Sequence, residues 1–172
     1  MQLKENVTPE DHSQGSANAK VTLVEYGDYQ CSHCGAAYLV VKLLQERFGE
    51  SLRFVFRNFP LGEAHPMAQA GAEAAEYAAT KDKFWPMHDA IYEHQTQLSA
   101  ELLATLAAQN GLGVKGMSEA LNQHTFQERV RKDFMSGARS GVNGTPAFFI
   151  NGIRFDGAPS FENVAAAIEA IQ

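Results

Sequence analysis

The first third of the chain passes from a polar stretch into apolar runs whose periods differ. Residues 1–20 are rich in Ser, Asn, Asp and Gly with little periodicity, which predicts an extended or mobile lead-in. The run VTLVEY at 21–26 predicts a buried strand, and residues 31–49 place apolar side chains at helical spacing before a final glycine suited to a left-handed cap. Residues 51–60 alternate in their centre and end on proline, as a second strand would. The pattern predicts a βαβ unit.

Residues 64–140 have a helical pattern throughout, and no strand is needed there. Ser99 precedes one apolar helical stretch, and Thr125 with Glu128 has the spacing of a capping box at the start of another. We therefore predict a helical segment inserted after the βαβ unit.

The last thirty residues predict a hairpin followed by a helix. Two short apolar runs, Ala147–Ile150 and Ile153–Phe155, flank Asn151–Gly152, the strongest short hairpin signal a sequence offers. A final helix is expected from about Ser160 to Ile171. Together these elements predict an α/β core with one helical insertion.

Composition limits the classes of protein to consider. A chain of 172 residues with 45% hydrophobic content has enough apolar residues for one sizeable core. A net charge of −6 argues against a nucleic-acid partner, and no run of about 18 apolar residues predicts a membrane span. The polar N-terminus lacks a secretory apolar region, so we expect a cytoplasmic monomer, or a periplasmic one if a signal peptide was trimmed.

The candidate chemistry lies in YQCSHCGAAY, which holds the only two cysteines, Cys31 and Cys34. At the start of a helix, the Cys31 sulfur would lie near free main-chain N–H groups and the positive end of the helix dipole, and both favour a thiolate. Cys34, one turn further on, would lie deeper on the same face. One sulfur could attack a disulfide and the other resolve the mixed disulfide. His33 could add a charge or a hydrogen bond to the Cys31 thiolate.

The cysteine pair has two other interpretations. A four-thiolate zinc site needs two more cysteines, and the remaining histidines show no paired-ligand spacing, so we expect no metal. A pair of buried structural thiols is the second alternative. His88 and His94 are expected at or near the surface of helices, and Trp85 in the core.

The stretch VEYGDYQCSHCG, together with GVNGTPAFFING downstream, resembles the DsbA-type thioredoxin-fold oxidoreductases, especially their small bacterial members. The resemblance covers about residues 18–172 and implies a thioredoxin fold with an α-helical domain inserted between the βαβ unit and the C-terminal hairpin and helix. The implied organisation is a lead-in at 1–17, a thioredoxin-like domain at 18–62 and 141–172, and an inserted domain at 63–140.

The same resemblance assigns roles to three further residues. Pro146 corresponds to the family's cis-proline, and a cis bond would leave the Thr145 main chain free to pair with an extended substrate. An ordinary trans proline is the alternative. Glu25 matches the family's buried acid beneath the cysteines, where it would exchange a proton with Cys34 and need a raised pKa. Its alternative is a carboxylate facing solvent or paired with lysine. Asp28 is expected to be a turn residue.

The functional hypothesis is a thiol–disulfide oxidoreductase acting on protein or small-molecule thiols and disulfides. The best-known members of the family have Pro–His between the cysteines and Val before the cis-proline, whereas this chain has Ser–His and Thr145, so the direction of electron flow stays open. The redox couple needs no bound cofactor, with glutathione as a candidate co-substrate. The alternatives are a redox-sensitive or metal-holding binding module without turnover, and a glutathione-linked enzyme with the tripeptide near Thr145.

Overall fold

The structure, a computed structural model, describes residues 1–171 and contains one five-stranded sheet. Its strand order is β1-β3-β2-β4-β5, in which β2 and β3 run parallel and the other neighbours antiparallel. The strands are β1 His12–Gln14, β2 Val21–Gly27, β3 Leu52–Asn58, β4 Ala147–Ile150 and β5 Ile153–Phe155. The predicted βαβ unit and hairpin are confirmed.

Residues 1–171 form seven α-helices. They are α1 Ser32–Phe48, α2 Ala68–Ala79, α3 Phe84–Glu93, α4 Ala100–Gln109, α5 Val114–Asn122, α6 Gln127–Arg139 and α7 Phe161–Glu169. Gly49 ends α1 with a positive φ of 48° but a ψ of −125°, which is not the predicted left-handed helical conformation. Ser99 and Ser160 cap α4 and α7 through their hydroxyls. Gln172, the last residue of the predicted segment 141–172, lies outside the described residues.

Both faces of the sheet are buried. Successive side chains of β3 point into two separate apolar clusters, one on each face. Phe54 and Phe56 pack in the larger cluster, which also contains core residues of all seven α-helices, whereas Val55 packs in a smaller one. The predicted alternation of β3 is therefore present, although both sets of side chains are buried. Burial on two faces explains why β2 has a nearly continuous apolar sequence.

The lead-in contains a strand that the sequence pattern did not predict. His12–Gln14 forms β1 and pairs antiparallel with β3, with Ser13 opposite Val55. Gln2 also forms an isolated bridge with Ile153 at the other edge of the sheet. These polar residues have no apolar alternation of their own, so the sequence pattern does not mark them as strands. Their pairing with β3 and β5 holds them in place.

The predicted capping box at Thr125 and Glu128 is wrong. Helix α6 begins at Gln127, so Phe126 takes the N-cap position and makes no side-chain capping bond. His124 adopts a positive φ of 51°, and the Thr125 amide donates to the Ala120 carbonyl, which closes the end of α5. This tight connection starts α6 too late for Thr125 to cap it.

Candidate active site

The two cysteines lie where β2 passes into α1. Cys31 is the N-cap of α1, and the amides of Cys34 and Gly35 donate to its carbonyl oxygen at 3.0 and 3.1 Å. Only 5% of Cys31 is exposed, and Cys34, one turn further on, is fully buried. Both are free thiols. The predicted difference in depth between the two sulfurs is present.

The surroundings of Cys31 favour its thiolate form. A hydrogen bond from the Cys34 thiol has the largest effect, and the Thr145 side chain and the main-chain N–H groups of Cys34 and His33 add to it. These donors outweigh burial and lower the Cys31 pKa to about 5. Cys31 is therefore largely ionised at neutral pH.

Cys34 and Glu25 have the opposite properties. Burial, the hydrogen bond to Cys31 and the nearby Glu25 charge all raise the Cys34 pKa, so this thiol holds its proton. Glu25 is 2% exposed, and burial together with the Cys31 charge raises its pKa to about 8. Its Oε1 has no hydrogen-bond partner among residues 1–171. Glu25 is thus a buried acid able to gain or lose a proton near neutral pH.

The loop before β4 completes the surface around Cys31. The Thr145–Pro146 peptide bond is cis, and the Cys31 sulfur lies 3.6 Å from the Thr145 carbonyl oxygen. The Thr145 hydroxyl is buried without a hydrogen-bond partner among the described residues, yet it lies close enough to favour both thiolates. The structure therefore brings the predicted pair Thr145 and Pro146 beside the Cys31 sulfur.

His33 lies on the exposed side of the cysteine turn. Its main-chain N–H contributes to the lowered Cys31 pKa, whereas its imidazole makes no hydrogen bond within the described part of the chain. The predicted role of the ring in tuning the thiolate stays a prediction.

Asp28 has a larger role than the turn residue expected from the sequence. Its Oδ1 accepts hydrogen bonds from the amides of Gln30 and Cys31, as a turn predicts. Its Oδ2 accepts from the Leu61 amide at 2.9 Å and contacts His65 Nδ1 at 2.7 Å. The Asp28 amide lies 3.4 Å from the Cys34 sulfur, to which it donates. An acid three residues before Cys31 signals the turn, but only the fold brings Leu61 and His65 to it.

His88 is buried, so the prediction of a surface or half-buried residue is wrong for it, whereas His94 is exposed as expected. The His88 ring packs among the aromatic rings of β3, α1 and α3, and its Nδ1 contacts the Tyr29 hydroxyl at 2.9 Å. Burial holds the His88 pKa well below its usual value, so the ring is neutral. Trp85 packs partly buried against the same core.

Within residues 1–171, no group of three or more His, Cys, Asp and Glu side chains is placed to hold a metal ion. The structure also contains, over the same residues, no helix long and apolar enough to cross a membrane.

A family model described as Thioredoxin matches residues 7–170. The chain therefore belongs to this thioredoxin family, and the resemblance seen in the sequence motifs is confirmed.

Solved structures refine the description of the fold. Oxidised BdbD from Bacillus subtilis superposes with a TM-score of 0.84 at 24% identity, covering 92% of this chain and 91% of BdbD. Wolbachia pipientis alpha-DsbA1 gives 0.83 at 18% identity, covering 96% and 92%. A thioredoxin-like oxidoreductase from Silicibacter pomeroyi gives 0.79 at 23% identity, covering 95% and 92%. The chain thus has the DsbA-like thioredoxin fold.

The curated proteins whose sequences match this chain are named as Na(+)/H(+) antiporters. The Na(+)/H(+) antiporter NhaA 1 of Salinispora arenicola is 39% identical over 158 residues, which is 92% of this chain and 24% of that protein. NhaA of Herminiimonas arsenicoxydans is 38% identical over 171 residues, 99% of this chain and 27% of that protein. The chain spans about a quarter of the length of these relatives.

Proposed function

We propose that the protein is a thiol–disulfide oxidoreductase in which Cys31 exchanges disulfides with thiol-bearing substrates. The observation that carries the proposal is the pairing of an ionised sulfur at a helix start, Cys31, with a protonated sulfur beneath it, Cys34. Thiol–disulfide exchange needs one accessible nucleophile and one resolving thiol. The curated relatives' name describes a whole protein of which this chain spans 24%, so the proposal is limited to its own cysteines.

The proposed direction is oxidation of the substrate. Donors around Cys31 stabilise its thiolate, and such stabilisation favours the reduced dithiol over the disulfide. A disulfide between Cys31 and Cys34 is then readily given to a substrate. This hypothesis fits a periplasmic location better than a reducing cytoplasm.

The exchange proceeds in two balanced steps. A substrate thiolate attacks Cys31 Sγ of the Cys31–Cys34 disulfide, and the electron pair of the broken S–S bond passes to Cys34, which takes a proton from Glu25. A second substrate thiolate then attacks the substrate sulfur of the mixed disulfide and releases Cys31 as a thiolate. The substrate dithiol is oxidised to a disulfide and the protein is reduced.

The loop at Thr145 and Pro146 is the proposed substrate platform. The Thr145 carbonyl lies next to the Cys31 sulfur, and an extended segment of a protein substrate could pair with this main chain as a short added strand. We expect protein thiols as substrates, and glutathione to form a mixed disulfide at Cys31 when no protein is present.

Exchange between the oxidised protein and a reduced, unfolded polypeptide tests the proposal. We expect Cys31→Ser to lower turnover at least about a thousandfold, because the variant cannot form the Cys31–Cys34 disulfide that the substrate thiolate attacks. Cys34→Ser cannot form the internal disulfide; with the disulfide form of the polypeptide, its Cys31 thiolate should attack one sulfur, release the other as a thiolate and accumulate as a mixed disulfide. If Cys31→Ser oxidises the substrate as fast as the wild type, the proposal is wrong.

A further inference from the structure

Gln95 binds the main chain of the cysteine turn from the helical segment. It lies in a short 3-10 turn, Gln95–Gln97, between α3 and α4. Its Nε2 donates to the Tyr29 carbonyl at 2.9 Å and to the Cys31 carbonyl at 2.8 Å. One side chain thus binds the carbonyls of residues 29 and 31, the second of which belongs to the cysteine that carries the attacking sulfur.

Gly35 leaves the space that this contact needs. A Cβ at position 35 would fall well inside the contact distance of Gln95 Oε1. Because that oxygen is the end of a flexible side chain, it would be displaced without moving the backbone. Glycine in the first turn of a long helix costs stability relative to alanine, and its presence here is explained by the Gln95 amide.

We propose that Gln95 is a positioning residue for the redox couple, which fixes the main chain at residues 29–31 so that the N–H groups after Cys31 point at its sulfur. The inference rests on the proposed function, since it concerns the geometry of the same two sulfurs. Gln95 touches neither sulfur, and it acts through the carbonyls that it binds. It also joins the redox centre to the helical segment.

Gln95 can affect the Cys31 pKa because a thiolate needs main-chain N–H donors held in fixed directions. The Cys31 thiolate is favoured in part by main-chain N–H groups of His33 and Cys34, whose directions depend on the backbone of the turn. A disulfide at the same position carries no charge and needs these donors less. Loosening the turn therefore destabilises the reduced thiolate more than the disulfide, which raises the Cys31 pKa and makes the disulfide less oxidising.

A comparison of Gln95→Met with Gln97→Ala tests the inference. Methionine retains the length of Gln95 without its donors, and Gln97 is an exposed neighbour in the same turn whose side chain forms no hydrogen bond in the part of the chain described. We expect Gln95→Met to raise the Cys31 pKa by about half a unit or more and to shift the glutathione equilibrium about threefold or more towards the protein disulfide. Gln97→Ala should leave both unchanged. Equal values for Gln95→Met and the wild type would overturn the inference.

A second variant pair separates positioning from general destabilisation. Gly35→Ala should raise the Cys31 pKa in the wild type by displacing Gln95, and should have no further effect in a Gln95→Ala background. In that background it should raise the melting temperature, because alanine favours the helix. Additive effects of the two substitutions on the pKa would contradict the inference. Both pKa readouts are independent of turnover, so an inactive wild type would reject the proposed function without deciding the role of Gln95.

Discussion

Two buried polar regions lie on either side of strand β2, and they differ in how completely their groups are paired. In the first, which we call the Arg57 cluster, the guanidinium binds both Asp11 carboxylate oxygens at 2.8 and 3.0 Å, two main-chain carbonyls of the lead-in and the Tyr26 hydroxyl. In the second, the redox centre, Glu25 Oε1 and the Thr145 hydroxyl have no partner among residues 1–171.

The difference in pairing indicates that the Arg57 cluster stabilises the fold, whereas the redox centre keeps groups available for reaction. Complete pairing fixes the Arg57 cluster in one arrangement and anchors residues 5–11 to the sheet, but leaves no group free to react. The redox centre leaves polar groups unpaired at a cost in stability, and it holds a carboxyl, Glu25, with a raised pKa beside a thiol, Cys31, with a lowered pKa. Substitutions in the first region should change folding alone, whereas substitutions in the second should change both.

The largest expected effect is the loss of stability in Arg57→Met. Removing the guanidinium leaves the Asp11 carboxylate buried without its cation, which should lower the free energy of unfolding by about 4 kcal/mol. Urea denaturation at neutral pH measures this change. The Cys31 pKa should stay at the wild-type value, and a large change in it would show that the two regions are coupled.

Glu25→Gln should alter stability in a pH-dependent way. The folded protein holds the Glu25 proton up to about pH 8, whereas an unfolded chain releases it near 4.5, so wild-type stability falls as the pH rises through this window. Glutamine does not ionise, and we expect the variant to gain about 3 kcal/mol relative to the wild type between pH 4.5 and 8.5.

The experiment uses the oxidised forms of both proteins, which removes the Cys31 charge. Burial, the larger cause, then raises the Glu25 pKa alone, so the pH window ends below its upper limit in the reduced protein and the gain is smaller than the full shift would give. Turnover of Glu25→Gln should fall roughly tenfold to a hundredfold, because Cys34 loses its proton donor. Parallel stability curves for the two proteins would contradict the assignment of Glu25 as a buried, shifted acid.

Thr145→Val should produce two smaller effects, a gain in folding stability and a loss of stability of the Cys31 thiolate. Valine removes the unpaired buried hydroxyl, so we expect stability to rise by about 1 kcal/mol. The same hydroxyl favours the Cys31 thiolate, so the Cys31 pKa should rise by about half a unit. Thermal unfolding and thiolate titration measure the two changes, with exposed Thr105→Val as the control. A lowered Cys31 pKa would argue against the hydroxyl as a donor.

His33→Ala tests the weakest contribution. The imidazole is exposed, and the main-chain N–H that favours the thiolate is retained in alanine. We expect the Cys31 pKa to change by less than about 0.3 units. A rise of a full unit would show that the ring itself stabilises the thiolate.

Sequence patterns sufficed for elements whose signals are local. The β2 apolar run, the spacing in α1, the Asn151–Gly152 turn and the Ser99 cap each predicted its element. Strand β1 was missed because its polar residues depend on pairing with β3. The capping box failed because the turn at His124 delays the start of α6.

The candidate site shows the same division. The spacing of Cys31 and Cys34 and their place at a helix start could be derived from the residues alone, whereas Glu25, Thr145 and Pro146 were assigned through the family resemblance. The contacts of Asp28 with Leu61 and of Gln95 with the cysteine turn connect segments far apart in sequence. Nothing in the local pattern predicts them, because they depend on the packing of the helical segment against the sheet.

Titration of the reduced protein by the ultraviolet absorbance of its thiolates tests the central claim most directly. The account predicts that one thiolate forms with an apparent pKa of about 5 and is lost in Cys31→Ser, while Cys34 stays protonated through neutral pH. Two thiolates that both form near the ordinary cysteine value of about 8.5 would contradict it.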